Sequence, residues 1–249
     1  MRHVLLAVLL LSLPALGEWI EDYRVDISVL PSGSLMVEEQ INVYFDLPRH
    51  GIYRRIPYSY RLPTGERYNL RLRLEEVLAG GRAVPVRQSR EEGQLVIRIG
   101  DPDRLVQGQM VYCLRYWVAR ALRAYGEEVE LFWNAVGTEW ELPIRRATVR
   151  VSLPEGIPPE EVRTLGFQGA WGSTIPFTLE WVEGKLVGTA EDLGPGEGIT
   201  IAVRLPAAYV QLPGLSTNIL WFLQDNLYAG IPLLVLVGMT ALWWHKGRD

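Results

Sequence analysis

Tyr23-Arg24-Val25-Asp26-Ile27-Ser28-Val29 alternates apolar and polar side chains without a break. A period of two places every second residue on one face, which is the pattern of a half-buried β-strand and not of a helix. Pro31-Ser32-Gly33-Ser34 follows as a turn, and the strand pattern resumes from Leu35-Met36-Val37 through Val43-Tyr44-Phe45, predicting a hairpin. The same signature continues outward along the chain. Leu70, Leu72 and Leu74 alternate with polar neighbours, Leu95–Ile99 ends at Gly100, and the aromatic-rich Met110–Val118 is expected to be central. Val129–Asn134 follows after a polar turn. A second group comprises Ala147–Leu153, Phe177–Trp181, Leu186–Gly188 and Ile199–Leu205. The one helix candidate between them is Pro158–Val162, a turn or two with proline at its start. Many short strands separated by Gly/Pro turns predict an all-β fold, a β-sandwich of one large or two packed lobes, with residues 143–146 as the possible seam.

The chain has 249 residues, 25 basic and 29 acidic side chains, and 48% hydrophobic residues. At roughly 150 residues per domain this is one large domain or two small ones, long enough to bury a sizeable core. The net charge of −4 argues against nucleic acid as a partner, because phosphate binding wants a basic footprint. A single cysteine excludes an internal disulfide framework and a cysteine-built metal site.

The apolar residues are concentrated at the two ends. Met1-Arg2-His3 is a short basic start, Val4–Leu13 is an apolar run broken by Pro14, and Ala15 and Gly17 supply small residues at −3 and −1 of a cut before Glu18. This is the pattern of a secretory signal peptide over residues 1–17. Leu227–Trp244 carries no charge and as a helix would be about 27 Å long, enough to cross a hydrocarbon core with little tilt. Trp243 and Trp244 fall at the expected interface, and His245, Lys246 and Arg248 follow in a tail of residues 245–249. The positive-inside rule places that tail in the cytoplasm. The expected layout is a single-pass type I protein of the cell membrane, with residues 18–212 as its extracytoplasmic domain. Between the two, residues 213–226 carry Leu215, Ile219, Phe222 and Leu223 at helical spacing. That stripe fits an amphipathic segment at the outer membrane surface, and equally a plain extension of the transmembrane helix.

Two stretches are candidates for function. Arg49-His50-Gly51-Ile52-Tyr53-Arg54-Arg55-Ile56-Pro57 is the densest polar cluster. The neighbouring guanidiniums of Arg54 and Arg55 could fork around a phosphate or carboxylate. The favoured alternative is structural, with the arginines pairing with Glu38 and Glu39 or capping backbone carbonyls. Trp133-Asn134 through Trp140-Glu141 is the second. Its tryptophans could stack sugar rings while Glu139 and Glu141 act as acid and base, although tryptophans in sandwiches usually fill the core. A Ser–His–Asp triad would have to use His50 and lacks a Gly-x-Ser-x-Gly elbow, and no phosphate loop or histidine-metal spacing is present. No cofactor is expected, and Cys113 on an apolar strand reads as an inert thiol.

Together these motifs resemble the DUF2207 family of predicted membrane proteins. The carrying residues are Tyr23–Ile27, Gly33–Glu39, His50–Pro57, Trp133-Asn134 through Gly137, Trp140, and Pro143-Ile144. The resemblance covers most of residues 18–205 and implies an extracytoplasmic β-rich domain tethered to the membrane, with no established activity. Members of that family often run on into further transmembrane and glycine-rich segments. Two functions are therefore expected in competition. The first is a non-enzymatic module beside the lipid bilayer that binds a partner protein (another envelope or membrane protein), an envelope polymer or a lipid headgroup, or that scaffolds a membrane complex, using Arg49, His50, Tyr53, Arg54 and Arg55 and the Trp133, Asn134, Trp140 stretch as candidate interaction residues. The second is an envelope carbohydrate-active enzyme with a cleft at residues 133–141.

Overall fold

The computed structural model describes residues 17–61, 64–226 and 230–247, with the side chains of 232 and 233 excepted. The expected signal peptide lies outside these residues except for Gly17, as do residues 227–229 of the expected span. The chain runs β1 (Trp19–Val29), β2 (Leu35–Arg49), β3 (Ile52–Pro57), β4 (Ser59–Arg61), β5 (Arg67–Asn69) and β6 (Arg71–Ala79). It continues with β7 (Arg82–Ala83), β8 (Val86–Glu91), β9 (Gln94–Ile99), β10 (Val106–Ala119), β11 (Leu122–Tyr125) and β12 (Glu128–Val136). The remaining strands are β13 (Ile144–Ser152), β14 (Arg163–Ala170), β15 (Ile175–Pro176), β16 (Glu180–Val182), β17 (Lys185–Leu193) and β18 (Glu197–Pro206). Two helices follow, α1 (Leu215–Asp225) and α2 (Ile231–Lys246).

Strand identity follows the period-two pattern closely. In β1 the buried side chains are Ile20, Tyr23, Val25, Ile27 and Val29, the same alternation that marks the strand in the sequence. β1 pairs with β2 as the expected hairpin, and β10 pairs with β2 on one side and β6 on the other, so it is interior to its sheet. The eight-stranded sheet is ordered β16-β17-β13-β1-β2-β10-β6-β7, and a five-stranded sheet is ordered β11-β12-β18-β14-β15. A three-stranded sheet, β3-β9-β8, and the small β4-β5 hairpin complete the set. Their inward faces contribute to one cluster of buried side chains.

Three readings of the sequence need adjustment. Phe177–Trp181 is not one strand: Phe177 and Leu179 are buried between β15 and β16 in irregular backbone. Here burial, not pairing, sets the apolar pattern. The strand β14 went unread, because Arg163-Thr164-Leu165-Gly166-Phe167-Gln168-Gly169 has small residues where its inward side chains would be. Gly166 is required there, since a Cβ would lie 2.4 Å from the Phe177 carbonyl oxygen. Residues 143–146 do not divide the chain into lobes. β13, which begins within them at Ile144, lies parallel to the first strand β1, while β12, which ends at Val136 before them, pairs with β18. Both larger sheets are thus built from segments on either side of the seam.

Pro158–Val162 contains a single 3-10 turn at Pro159–Glu161, as short as expected. The helix α2 has 16 residues, about 24 Å of rise. Among the described residues no helix is long and apolar enough to cross a membrane.

At the start of β3 the backbone of His50-Gly51 passes against Ile99-Gly100. Gly51 has φ +139° and a Cβ there would sit 1.9 Å from the Ile99 carbonyl oxygen; Gly100 meets the His50 carbonyl reciprocally, at 1.8 Å. Both the conformation and the space require glycine. Gly51→Ala is expected to cost roughly 3 kcal/mol or more, combining backbone strain with a clash against backbone that cannot move aside. Chemical denaturation of purified protein measures it, and an unchanged midpoint would contradict this crossing.

Candidate functional site

The inward face of β2 reads Leu35, Val37, Glu39, Ile41, Val43, Phe45, with one carboxylate inserted in an apolar row. β3 does the same with Ile52, Arg54 and Ile56. The two charges meet. Arg54 Nε donates to Glu39 Oε2 at 2.7 Å and Arg54 Nη2 donates to Glu39 Oε1 at 2.8 Å, a bidentate pair with both side chains at or below 1% exposure. Tyr23 of β1 donates its hydroxyl to Glu39 Oε2 at 2.7 Å, and Tyr116 of β10 donates to Oε1 at 2.6 Å. Register explains how they reach. Glu39 lies opposite Val25 on one neighbour and Leu114 on the other, so Tyr23 and Tyr116 are its diagonal neighbours, within range of a long aromatic side chain.

The third guanidinium nitrogen, Nη1, donates to the Arg55 carbonyl. Gly137 lies over it: a Cβ at that position would be 3.1 Å from Nη1. Trp140 packs edge-on against Tyr23, with ring centroids 5.6 Å apart. Residues from Tyr23–Ile27, Gly33–Glu39, His50–Pro57 and Trp133–Trp140 therefore converge on one buried network, and it fastens the three-stranded sheet to the eight-stranded one. Burial pushes the Glu39 carboxyl up, but the Arg54 charge and the hydrogen bonds from Arg54, Tyr116 and Tyr23 outweigh it and hold the group below its ordinary value. Burial, with the carboxylate beside them, keeps both tyrosine hydroxyls well above theirs, so they remain donors.

This separates the candidate arginines. Along a strand, successive side chains point to opposite faces, so Arg54 is buried while Tyr53 and Arg55 point outward. Arg54 and Arg55 therefore do not form a fork around an anion, and Arg54 is not part of an exposed face. Outside, Tyr53 is 55% exposed and lies beneath the Arg98 guanidinium. Arg49 pairs with Glu18 at 2.8 Å, and His50 Nδ1 sits 3.2 Å from the Asp101 carbonyl oxygen. Arg49, His50 and Tyr53 are exposed, and Arg55 is half-buried.

Trp133 and Trp140 are buried, at 2% and 7% exposure, and offer no ring face to a sugar. Asn134, with its amide turned to suit its neighbours, donates to the Val136 carbonyl at 2.8 Å and the Ile199 carbonyl at 3.2 Å, bracing the bulge where β12 shifts register against β18. Glu139 and Glu141 are exposed on either side of Trp140.

The second polar cluster was not anticipated. Asp225, the last residue of α1, is 7% exposed and is held by the β-domain. It accepts from the Asn69 backbone N–H and side-chain amide, both at 3.0 Å, from Arg71 at 2.9 Å and from Arg120. Asn226 continues the clasp, accepting from the Arg67 N–H at 2.8 Å and donating to its carbonyl at 3.0 Å. Trp221, one turn earlier, lies under Arg71 and Arg120. A sequence signal existed: an acid in the last turn opposes the helix dipole, so it needs a partner from elsewhere in the fold.

Residues 19–205 match the model of the predicted membrane protein (DUF2207) N-terminal domain. No curated protein matches the chain. Among solved structures it is similar to the M1 zinc metallopeptidase of Deinococcus radiodurans, at 14% identity and a TM-score of 0.42, over 74% of this chain and 42% of that one. It is also similar to the leukotriene A4 hydrolase of Saccharomyces cerevisiae, at 11% identity and a TM-score of 0.46, over 76% of this chain and 29% of that one. The chain thus spans less than half the length of either.

Glu39→Gln leaves a buried guanidinium facing a neutral amide and is expected to destabilise the fold by about 3–5 kcal/mol, the usual cost of orphaning one partner of a buried pair. The lowered Glu39 value also fixes a pH response. Its contribution is complete above the ordinary carboxylate value of 4.5 and is lost as pH falls from there through the lower folded value. Denaturant melts from pH 7 to pH 3 should therefore lose stability more steeply below about pH 4.5 in the wild type than in the Glu39→Gln variant. Equal slopes would remove Glu39 as a source of acid sensitivity.

Proposed function

This chain belongs to the DUF2207 family of predicted membrane proteins, and we propose that it is a single-pass membrane protein whose β-sandwich is a rigidly mounted, non-catalytic module for binding or scaffolding another envelope or membrane protein. In this reading residues 1–17 are a cleaved signal peptide, the β-domain is extracytoplasmic, residues 227–244 cross the membrane and residues 245–249 lie in the cytoplasm. The observation that carries it is the clasp on Asp225 and Asn226. These two residues immediately precede the apolar run, and both are tied to the β-domain, not to solvent. A flexible tether would leave the domain free to tumble above the bilayer. A clasped helix instead fixes which face of the domain meets the membrane and which faces away, as presenting a surface to a neighbouring protein requires. Tyr53 and Arg55 on the outward face of β3, with Arg49 and His50 exposed at the adjoining turn, are the surface offered, with aromatic and guanidinium groups of the kind that anchor interfaces.

Two measurements test this reading. Mature protein from membranes should begin at Glu18 and stay in the pellet after alkaline extraction, and protease added to intact cells should remove the β-domain while sparing a C-terminal tag. Release by alkali, or protection of the β-domain, would overturn the topology. Asp225→Ala should unlatch α1 without unfolding the core. Amide exchange around Asn69 and Arg71 is expected to rise at least tenfold while that of β1 and β2 is unchanged.

A further inference from the structure

The β4-β5 hairpin carries an arrangement that the fold alone does not account for. Arg61 and Arg67 are direct cross-strand partners, so their side chains leave the same face with Cβ atoms about 5 Å apart. Like charges directly opposed weaken a strand pair. Both arginines are exposed, and among the described residues neither has a carboxylate within ion-pair distance. Nearby, Arg71 and Arg120 are answered by Asp225, so the clasp uses its own acid and leaves the hairpin pair unanswered.

Their place relative to the apolar run is set by the clasp. Asn226 holds both backbone polar groups of Arg67, and the uncharged stretch begins at the next residue. The polar layer on each side of a hydrocarbon core is only about 5–8 Å deep, so a residue tied to the entry point lies within it. The helix α1 adds a second element. Its inner stripe, Trp221 and Asp225, docks on the domain, while Leu215, Ile219, Phe222 and Leu223 stay exposed along its outer side. That is the disposition of a helix lying at a membrane surface. Residues 18–226 carry 22 basic and 28 acidic side chains, so general charge would repel an anionic surface; this basic corner is local.

We propose that the β4-β5 strand pair binds the phosphate of an anionic phospholipid headgroup between Arg61 and Arg67, with the outer stripe of α1 seated at the acyl boundary beside it. The proposal rests on the reading that residues 227–244 cross the membrane. Forked guanidinium donors suit a phosphate, and the bound anion removes the repulsion across the hairpin.

The full chain, in uncharged detergent micelles, is titrated with short-chain phosphatidylglycerol, with phosphatidylcholine and with inorganic phosphate, and bound species are counted by native mass spectrometry. Wild type should retain phosphatidylglycerol in preference to phosphatidylcholine, and R61Q/R67Q should weaken that binding roughly tenfold or more. The control R82Q/R87Q removes the same charge from exposed positions elsewhere on the domain and should change it less than twofold. Equal binding by R61Q/R67Q, or an equal loss in the control, overturns the site. Inorganic phosphate bound with the same arginine dependence, in place of the lipid, also overturns it. Alkaline extraction of the same wild-type membranes separates the two readings. Release overturns the membrane span, whereas retention together with absent phosphatidylglycerol binding overturns the headgroup site alone.

Discussion

A carboxylate removed from water must have its charge and its lone pairs answered within the protein, and Glu39 is answered on both counts. Its two oxygens accept four hydrogen bonds, two from Arg54 and one each from Tyr23 and Tyr116. The donors come from three strands of two different sheets, so the network forms only when β3 is seated over β1, β2 and β10. Such a pair contributes little net stability compared with apolar packing of the same volume. Its distinctive effect is on arrangement: any other seating of the three-stranded sheet would leave a charge buried alone. Gly137 and Trp140 then follow as conditions of the same arrangement, one leaving room for the guanidinium and the other walling Tyr23.

Much of this was legible in the sequence, and the reason is periodicity. β1, β2, β10 and β18 declare themselves because each buries one face and leaves the other at least partly open to solvent. The same rule located the buried pair more sharply than residue chemistry did. Arg54 and Arg55 look alike as neighbours, yet the row Ile52, Arg54, Ile56 points inward and Tyr53, Arg55 outward. β14 was not legible because its two buried positions, Gly166 and Gly169, are glycines that allow close approach of Phe177 and Ser173 and leave no apolar side chain to read. The clasp at Asp225 was harder still. Nothing within residues 213–226 names its partners, which lie more than a hundred residues earlier at Asn69, Arg71 and Arg120.

The two polar clusters divide the work of the molecule between them. One fixes sheet against sheet; the other fixes the last helix before the apolar run against the sheets. The two are joined by continuous pairing: β6 carries Arg71, β10 leads into Arg120, and β10 pairs next with β2, which holds Glu39. Tyr53 and Arg55, on the outward face of β3, then have a defined bearing with respect to α1.

The parallel pairing of β1 with β13 has a consequence for how such a chain is made. The first strand gains one neighbour within twenty residues, but its other edge stays bare until residues 144–152 exist. β12 likewise waits for β18 at residues 197–206. A chain made only as far as residue 140 lacks the partners of both β1's free edge and β12's, and pairings between segments so far apart in sequence are slow to close. Neither of the two larger sheets can complete its pairing until residues 144–152 and 197–206 have been made, so the order of synthesis and the order of the sheets run apart.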